Sequence, residues 1–185
     1  MDKIDSLRLE YRRLCDTDWP LFLALHDDRQ VMNFISDPLD EETIRRHYFE
    51  PRLRSWQPGC KHWLCLVISE KTTGIPIGVT GFIERSDSIA EVGFILKPEF
   101  QGKGYGSESL KDIIQFALTH YQYHKLVATV TSGNEASRRT LASAGFLQEG
   151  TLRKNYYLKG SWQDDWLFGL LREETGYKFF NKNAL

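Results

Sequence analysis

Residues 91–108, Glu-Val-Gly-Phe-Ile-Leu-Lys-Pro-Glu-Phe-Gln-Gly-Lys-Gly-Tyr-Gly-Ser-Glu, join a strand pattern to a run of glycines and the opening of a helix. Ala90, Val92, Phe94 and Leu96 recur at period two, which predicts a strand with one buried face. Leu110, Ile113, Ile114, Ala117 and Leu118 share one face of a helix at period 3.6. The intervening glycines let the chain turn with positive φ and let a ligand approach bare backbone. First-turn N–H groups and the helix dipole favour an anion there. The junction predicts a pyrophosphate site at the start of a helix.

Three phosphate motifs compete for this loop. A Walker loop needs Gly-Lys followed by Ser or Thr, but Lys103 precedes Gly104. A dinucleotide fingerprint, G-x-G-x-x-G, has Ser107 where its third glycine belongs. The preceding segment decides between them. Ile75–Glu84 and Ile89–Leu96 are joined by the short polar stretch Arg85-Ser86-Asp87-Ser88, a hairpin signal and not a βαβ crossover.

The third motif, Gln101-x-x-Gly104-x-Gly106, resembles the acyl-CoA pyrophosphate loop of the GNAT superfamily of N-acetyltransferases. Asn134-Glu135-Ala136-Ser137, followed by Gly145-Phe146 and Glu149-Gly150, is similar to the N-x-x-S…G-F…E-G run of its Rim-type branch, the ribosomal-protein N-terminal acetyltransferases. The likeness runs from Leu7-Arg8-Leu9 to Asp165 and the closing strand. It implies an α/β fold in which a mixed, mostly antiparallel sheet splays in a V between the strands ending near Leu96 and Thr131, with helices on both faces. It also implies acetyl-CoA as cosubstrate and no metal. Pantetheine would pair with backbone at Phe94, Ile95 and Leu96. The phosphates would meet Gln101, Gly102, Lys103, Gly104, Tyr105, Gly106 and Ser107, with Asn134, Ser137 and Arg138 completing the site.

Direct acetyl transfer from a thioester to an amine needs a neutral amine, a donor at the carbonyl oxygen and a proton for the leaving thiolate. Backbone N–H at Ile95 or Leu96 is the candidate donor. Asn134 either bonds pantetheine or caps the short helix after it. Ser137, one turn on, is placed to protonate the sulfur, although serine is common at helix starts. Some relatives carry a glutamate base where this chain has Tyr156 and Tyr157, which leaves a phenolic acid or simple aromatic packing. Glu84 and Glu91 are alternative bases acting through water, or solvated edge residues.

A chain of 185 residues fits one domain, 1–185, burying roughly 70% of its unfolded surface. A net charge of −1 argues against nucleic acid or an anionic membrane as partner. Cys15, Cys60 and Cys65 show no paired spacing, and residues 1–6 lack the apolar run of a signal peptide, so a cytoplasmic protein is expected. A homodimer stays open. Asp16 or Asp18 is expected to cap a first helix, and Asp40 a second that Pro51 ends. A strand at 63–69, the two already placed, one at 126–131 and a hairpin about Lys159-Gly160-Ser161 give the order α,α,β,β,β,α,β,α,β,β. The expected activity is acetyl transfer to a primary amine, foremost a protein or peptide α-amine. A polyamine or aminoglycoside acetyltransferase and a non-catalytic acyl-CoA sensor are the alternatives.

Overall fold

The structure, a computed structural model, describes residues 4–176. Seven strands form one sheet in the order β1-β2-β3-β4-β5-β7-β6. They are β1 (Leu9–Arg13), β2 (Leu64–Glu70), β3 (Pro76–Ser86), β4 (Ile89–Leu96), β5 (Lys125–Thr131), β6 (Leu147–Leu158) and β7 (Ser161–Leu171). Every pairing is antiparallel except β4 with β5. That parallel ladder covers only Ile89–Glu91 against Lys125–Val127. Beyond it β4 stays paired with β3 as far as Leu96↔Gly78, and β5 with β7 as far as Thr131↔Asp165. The two half-sheets therefore part in a V, as expected.

Helices cover both faces. On one face lie α4 (Tyr105–Thr119) and α5 (Glu135–Ser143). Leu110, Ile113, Ile114, Ala117 and Leu118 of α4 are all buried, packed with Phe82, Val92, Leu126 and Phe168 in one core. On the other face lies α1 (Trp19–Asp27), whose Phe22 and Leu25 pack with Phe49, Cys65, Val67 and Val79. Period-3.6 patterning thus places α4 correctly, because a helix on a sheet must bury one continuous stripe.

Four features differ from the sequence reading. β1 precedes the first helix and was not expected. It is an edge strand in which Glu10 and Arg12 face solvent, so only Leu9 and Tyr11 carry its apolar signal. The second helix does not stop at Pro51. Asp40 caps α2 (Glu41–Thr43) through its carboxylate and the Thr43 N–H (2.8 Å), as expected, but a π-helical segment follows over Ile44–Phe49 and then α3 (Glu50–Leu53). The π turn shifts the hydrogen-bond register by one residue, so Pro51 sits in the first turn of α3, where a missing N–H costs little. Ser161 belongs to β7, and the turn is Lys159-Gly160 alone, both with positive φ. In β6 the register shifts so that three residues, 153 to 155, oppose the single Asp164 of β7 between the pairs Leu152↔Asp165 and Tyr156↔Gln163.

Phe82 is fully buried and meets Trp56, Tyr121 and Tyr123 edge-on, with ring centroids 5.3 to 5.7 Å apart. Phe82→Ala should cost about 3–5 kcal/mol, read as a lower denaturation midpoint at unchanged slope in urea.

Candidate active site

The V between β4 and β5 opens a cavity of about 560 Å³. Its walls come from β4 (Glu91 to Ile95) and β5 (Ala128 to Thr131). At one end lie Leu110 of α4, the cap residue Asn134, and Ser137 and Leu141 of α5. At the other lie Phe22 and His26 of α1, Phe34, Tyr48, Arg52 and Tyr156. The cavity thus crosses the sheet from one helical layer to the other.

Backbone direction follows from the pairing. Lys97 N donates to Ile77 O (2.9 Å), and Thr80 Oγ1 donates to Gly93 O (3.1 Å), both on the β3 side. Strand alternation then turns the polar groups of Val92, Phe94 and Leu96 toward the V. Ile95 offers the cavity its side chain, with its N–H directed at β3. Leu96 O is taken by Gln101 Nε2 (2.9 Å), which fastens the glycine loop to the end of β4.

That loop lies beside the cavity, outside its lining. Gly102 and Gly104 have φ of 70° and 83°, the left-handed turn the glycines were expected to supply. Glu108 N bonds to Gly104 O (3.0 Å), so the N–H groups of Tyr105, Gly106 and Ser107 precede the first helical bond. Gly106 also packs against β4, because a Cβ there would stand 3.1 Å from the Phe94 ring. Tyr105 turns its side chain inward, its hydroxyl donating to Glu70 and its ring lying 4.4 Å under Arg8. Lys103 rests its ammonium 5.6 Å from the Phe100 ring. Arg8 donates to Lys103 O (3.1 Å) and to the Glu108 carboxylate (2.7 Å), holding the loop from the N-terminal side.

Asn134 Oδ1 accepts from Ser137 N (3.1 Å), so Asn134 caps α5 and lines the cavity at once. Ser137 Oγ has no hydrogen-bond partner among the described residues. Arg138 stands outside the cavity, donating to Glu135 (2.7 Å) with its guanidinium 5.7 Å from the Trp166 ring. Glu84 does not reach the cavity: Tyr123 donates to its carboxylate (2.9 Å). Glu91 does line it, joined to Arg85 at 2.5 Å. Tyr156 lines it too and donates its hydroxyl to Ile35 O (2.7 Å). Burial, with Asp37 and Asp165 nearby, raises its pKa, which keeps the phenol protonated at neutral pH. Tyr157 points away and meets Trp162 edge-on at 5.4 Å.

Sequence reasoning missed His26, Tyr48, Arg52, Cys65 and Asp165. They come from separate elements, and apart from Tyr48 and Arg52, one helical turn apart, no spacing in the chain links them. His26 stacks on Phe22 with centroids 4.1 Å apart and bonds through Nδ1 to Phe22 O (2.8 Å). A carbonyl oxygen only accepts, so Nδ1 carries the proton and Nε2 keeps its lone pair. Burial, aided by the Arg52 charge, lowers the His26 pKa. Burial pushes the Cys65 thiol up to about 12, which removes it as a nucleophile at neutral pH. Asp165 is buried and accepts from Asn155 Nδ2 (2.8 Å). Among the described residues no cluster of His, Cys, Asp and Glu could hold a metal ion, and no helix is long and apolar enough to cross a membrane.

The acetyltransferase (GNAT) domain profile matches residues 8–147. The chain is 29% identical over 180 residues, 91% of its length and 96% of the relative's, to the uncharacterized N-acetyltransferase YoaA of Bacillus subtilis (strain 168). It is 37% identical over 102 residues to YokL, a prophage-derived uncharacterized N-acetyltransferase of the same organism, covering 52% of this chain and 57% of that one. It spans 49% and 60% of the length of two further relatives from Bacillus. Among solved structures it resembles a GNAT-family acetyltransferase from Bacillus anthracis, with a TM-score of 0.79 at 23% identity over 94% of this chain and 100% of that one. It also resembles spermidine N-acetyltransferase from Vibrio cholerae in complex with CoA and spermine, with a TM-score of 0.75 at 22% identity over 90% and 97%. RimL, a ribosomal alpha-N-protein acetyltransferase in complex with coenzyme A, gives 0.74 at 22% over 92% and 98%. At these identities the likeness to solved structures speaks for the fold alone.

The depressed pKa of His26 has a consequence for stability. Below about pH 6.5 an unfolded chain protonates this histidine before the native state does. Its contribution is complete above that value and is lost as pH falls toward the folded pKa. Between pH 7.5 and 5.5 the melting temperature of the protein should therefore fall more steeply than that of His26→Gln; parallel slopes would contradict a buried neutral histidine.

Proposed function

Because the chain belongs to the acetyltransferase (GNAT) domain family, we propose that it transfers an acetyl group from acetyl-CoA to a primary amine, the whole of 1–185 acting as one domain. The observation that carries this reading is the parting of β4 from β5 beyond Glu91 and Val127. It leaves the polar backbone of Phe94 without a sheet partner next to two helix N-termini, which suits an extended, amide-bearing cofactor arm ending in phosphates. In this reading the phosphates meet the N–H groups of residues 102 to 107, and the acyl arm lies along β4. The coenzyme occupies the α4 and α5 side, so the amine enters from the α1 side.

The reaction then needs little from the protein beyond placement and two proton transfers. The amine nitrogen attacks the thioester carbon, and charge collects on its oxygen, which backbone N–H on the V side of β4 can meet. The carbon–sulfur bond breaks, and the thiolate takes a proton from Ser137 or from Tyr156, whose phenol stays protonated at neutral pH. The amine's own proton leaves through His26 Nε2 or through water at Glu91. With the Cys65 thiol protonated, transfer is direct, without an acyl-enzyme.

The acceptor we favour is a peptide or protein α-amine, as in the Rim-type branch. An α-amino group with a pKa of about 7.7–8.0 is roughly a tenth neutral at pH 7, whereas lysine at about 10.4 is neutral in only about one molecule in 2,500. Among the described residues the carboxylates that line the cavity, Glu91 and Asp165, are already engaged by Arg85 and Asn155. A weakly basic amine therefore fits this site better than one that needs a free carboxylate base. Thiol release from acetyl-CoA over a panel of amines, with mass spectrometry of acetylated peptides, tests the reading; binding without release would make the protein an acyl-CoA sensor.

Acetyl-CoA at a hundred times its Kd should stabilise the fold by about 2.7 kcal/mol. Gly104→Val forces a β-branched side chain into φ of 83° with Arg8 3.3 Å from its Cβ, and should abolish that gain by filling phosphate space. An undiminished acetyl-CoA shift in folded Gly104→Val would remove the loop from the site. Ser137→Ala or Tyr156→Phe, whichever removes the thiolate's acid, should lower kcat about a hundredfold with the acetyl-CoA Kd little changed. Normal turnover in both variants would leave solvent as the proton source.

A further inference from the structure

Arg52 is a partly buried cation at the acceptor end of the cavity, with no carboxylate beside it among the described residues. Its Nη1 donates to the carbonyl of Tyr48, one helical turn back. Its guanidinium lies 5.8 Å from the Phe22 ring and 6.0 Å from those of Tyr48 and Trp63. Nε and Nη2 have no acceptor among the described residues, yet neither is sealed in protein, and Arg52 lines the cavity. The acidic groups close enough to act on its charge are the Cys65 thiol, which burial keeps protonated at pH 7, and the Tyr48 phenol; neither is a carboxylate. Glu91 is joined to Arg85, and Asp165 to Asn155.

Aromatic faces offset part of the cost of a partly buried guanidinium, but they do not use its planar fork of donors. A desolvated charge without a counter-ion is expensive, and guanidinium geometry matches a carboxylate through two parallel hydrogen bonds. The phosphates of the coenzyme cannot supply that anion, because the glycine loop and the start of α5 lie with the opposite helical layer.

Resting on the acetyl-transfer reading above, we propose that Arg52 is a specificity residue that binds a carboxylate carried by the acceptor close to its amine. Two sources present this chemistry: the α-carboxylate of a free amino acid, and an acidic side chain near a peptide N-terminus. A polyamine presents only cations to Arg52, so this site works against it.

The test measures kcat/KM by thiol release for two matched pairs. One is free serine against serinamide; the other is a peptide amide beginning Ser-Asp against the same peptide beginning Ser-Asn. The carboxylate member of one pair should be favoured by about tenfold or more, and the responding pair identifies the source. Arg52→Met should bring that ratio to about one, with Arg52→Lys retaining part of it. The ratio is taken within each variant, so a loss of folded protein does not move it. Parity in both pairs for the unaltered protein, or a preference that survives Arg52→Met, overturns the proposal. Turnover of spermidine alone overturns it while leaving acetyl transfer standing, and no turnover of any amine removes both.

Discussion

Three rungs of parallel pairing, Ile89–Glu91 against Lys125–Val127, join the two halves of the sheet, and the site exists because there are only three. A fourth or fifth rung would consume the polar backbone of Phe94 and close the V. Their outer partners keep the strands apart. β4 is paired along its length with β3, and β5 with β7, so each half-sheet is complete without the other. The core closes the base of the V through Ala90, Leu126 and Leu170, all buried. The opening therefore costs only the unpaired inner edges, which a cofactor with amides of its own can satisfy.

Around that opening the sequence supplies fasteners of high sequence separation. Ser6 and Arg8 bind Glu108 across about a hundred positions, tying the N-terminal strand to the first turn of α4. Tyr11 donates to Asp112 (2.6 Å) one turn further along. On the far side Tyr156 reaches Ile35 O, and Lys159 N reaches Asp37 (3.0 Å), binding the β6–β7 hairpin to the segment after α1. These bonds fix the mouth of the cavity from both ends, a requirement for any transfer that depends on placement.

The glycine loop and α4 were legible because the physics there is local. Positive φ, helix start and apolar period all leave marks within a short stretch of chain. The V was legible only through resemblance, since no pattern in 89–96 or 125–131 states how many rungs will form. The acceptor end was illegible. Phe22 and His26, Tyr48 and Arg52, and Tyr156 lie on different elements, and each taken alone is an ordinary core aromatic or a surface charge. β1 hid for a related reason: an edge strand with alternate charges shows too few apolar residues to stand out from a loop.

The misread second helix and the illegible acceptor end share one cause. Local rules stop the helix before Pro51, yet the chain runs on through it by inserting the π segment Ile44–Phe49, whose last bond spans five residues, from Glu50 N to Arg45 O. The insertion rotates α3 about the helix axis relative to α2. Tyr48 within the segment and Arg52 just beyond it both reach the cavity, while Ile44 and Phe49 stay in the core with Phe22. A regular helix ending at residue 50 would leave Arg52 in a loop, free to turn its guanidinium into water. The irregularity that defeats the periodic reading is thus what holds a cation against the cavity wall, and departures of this kind are tolerated where the local cost is offset by what the site gains.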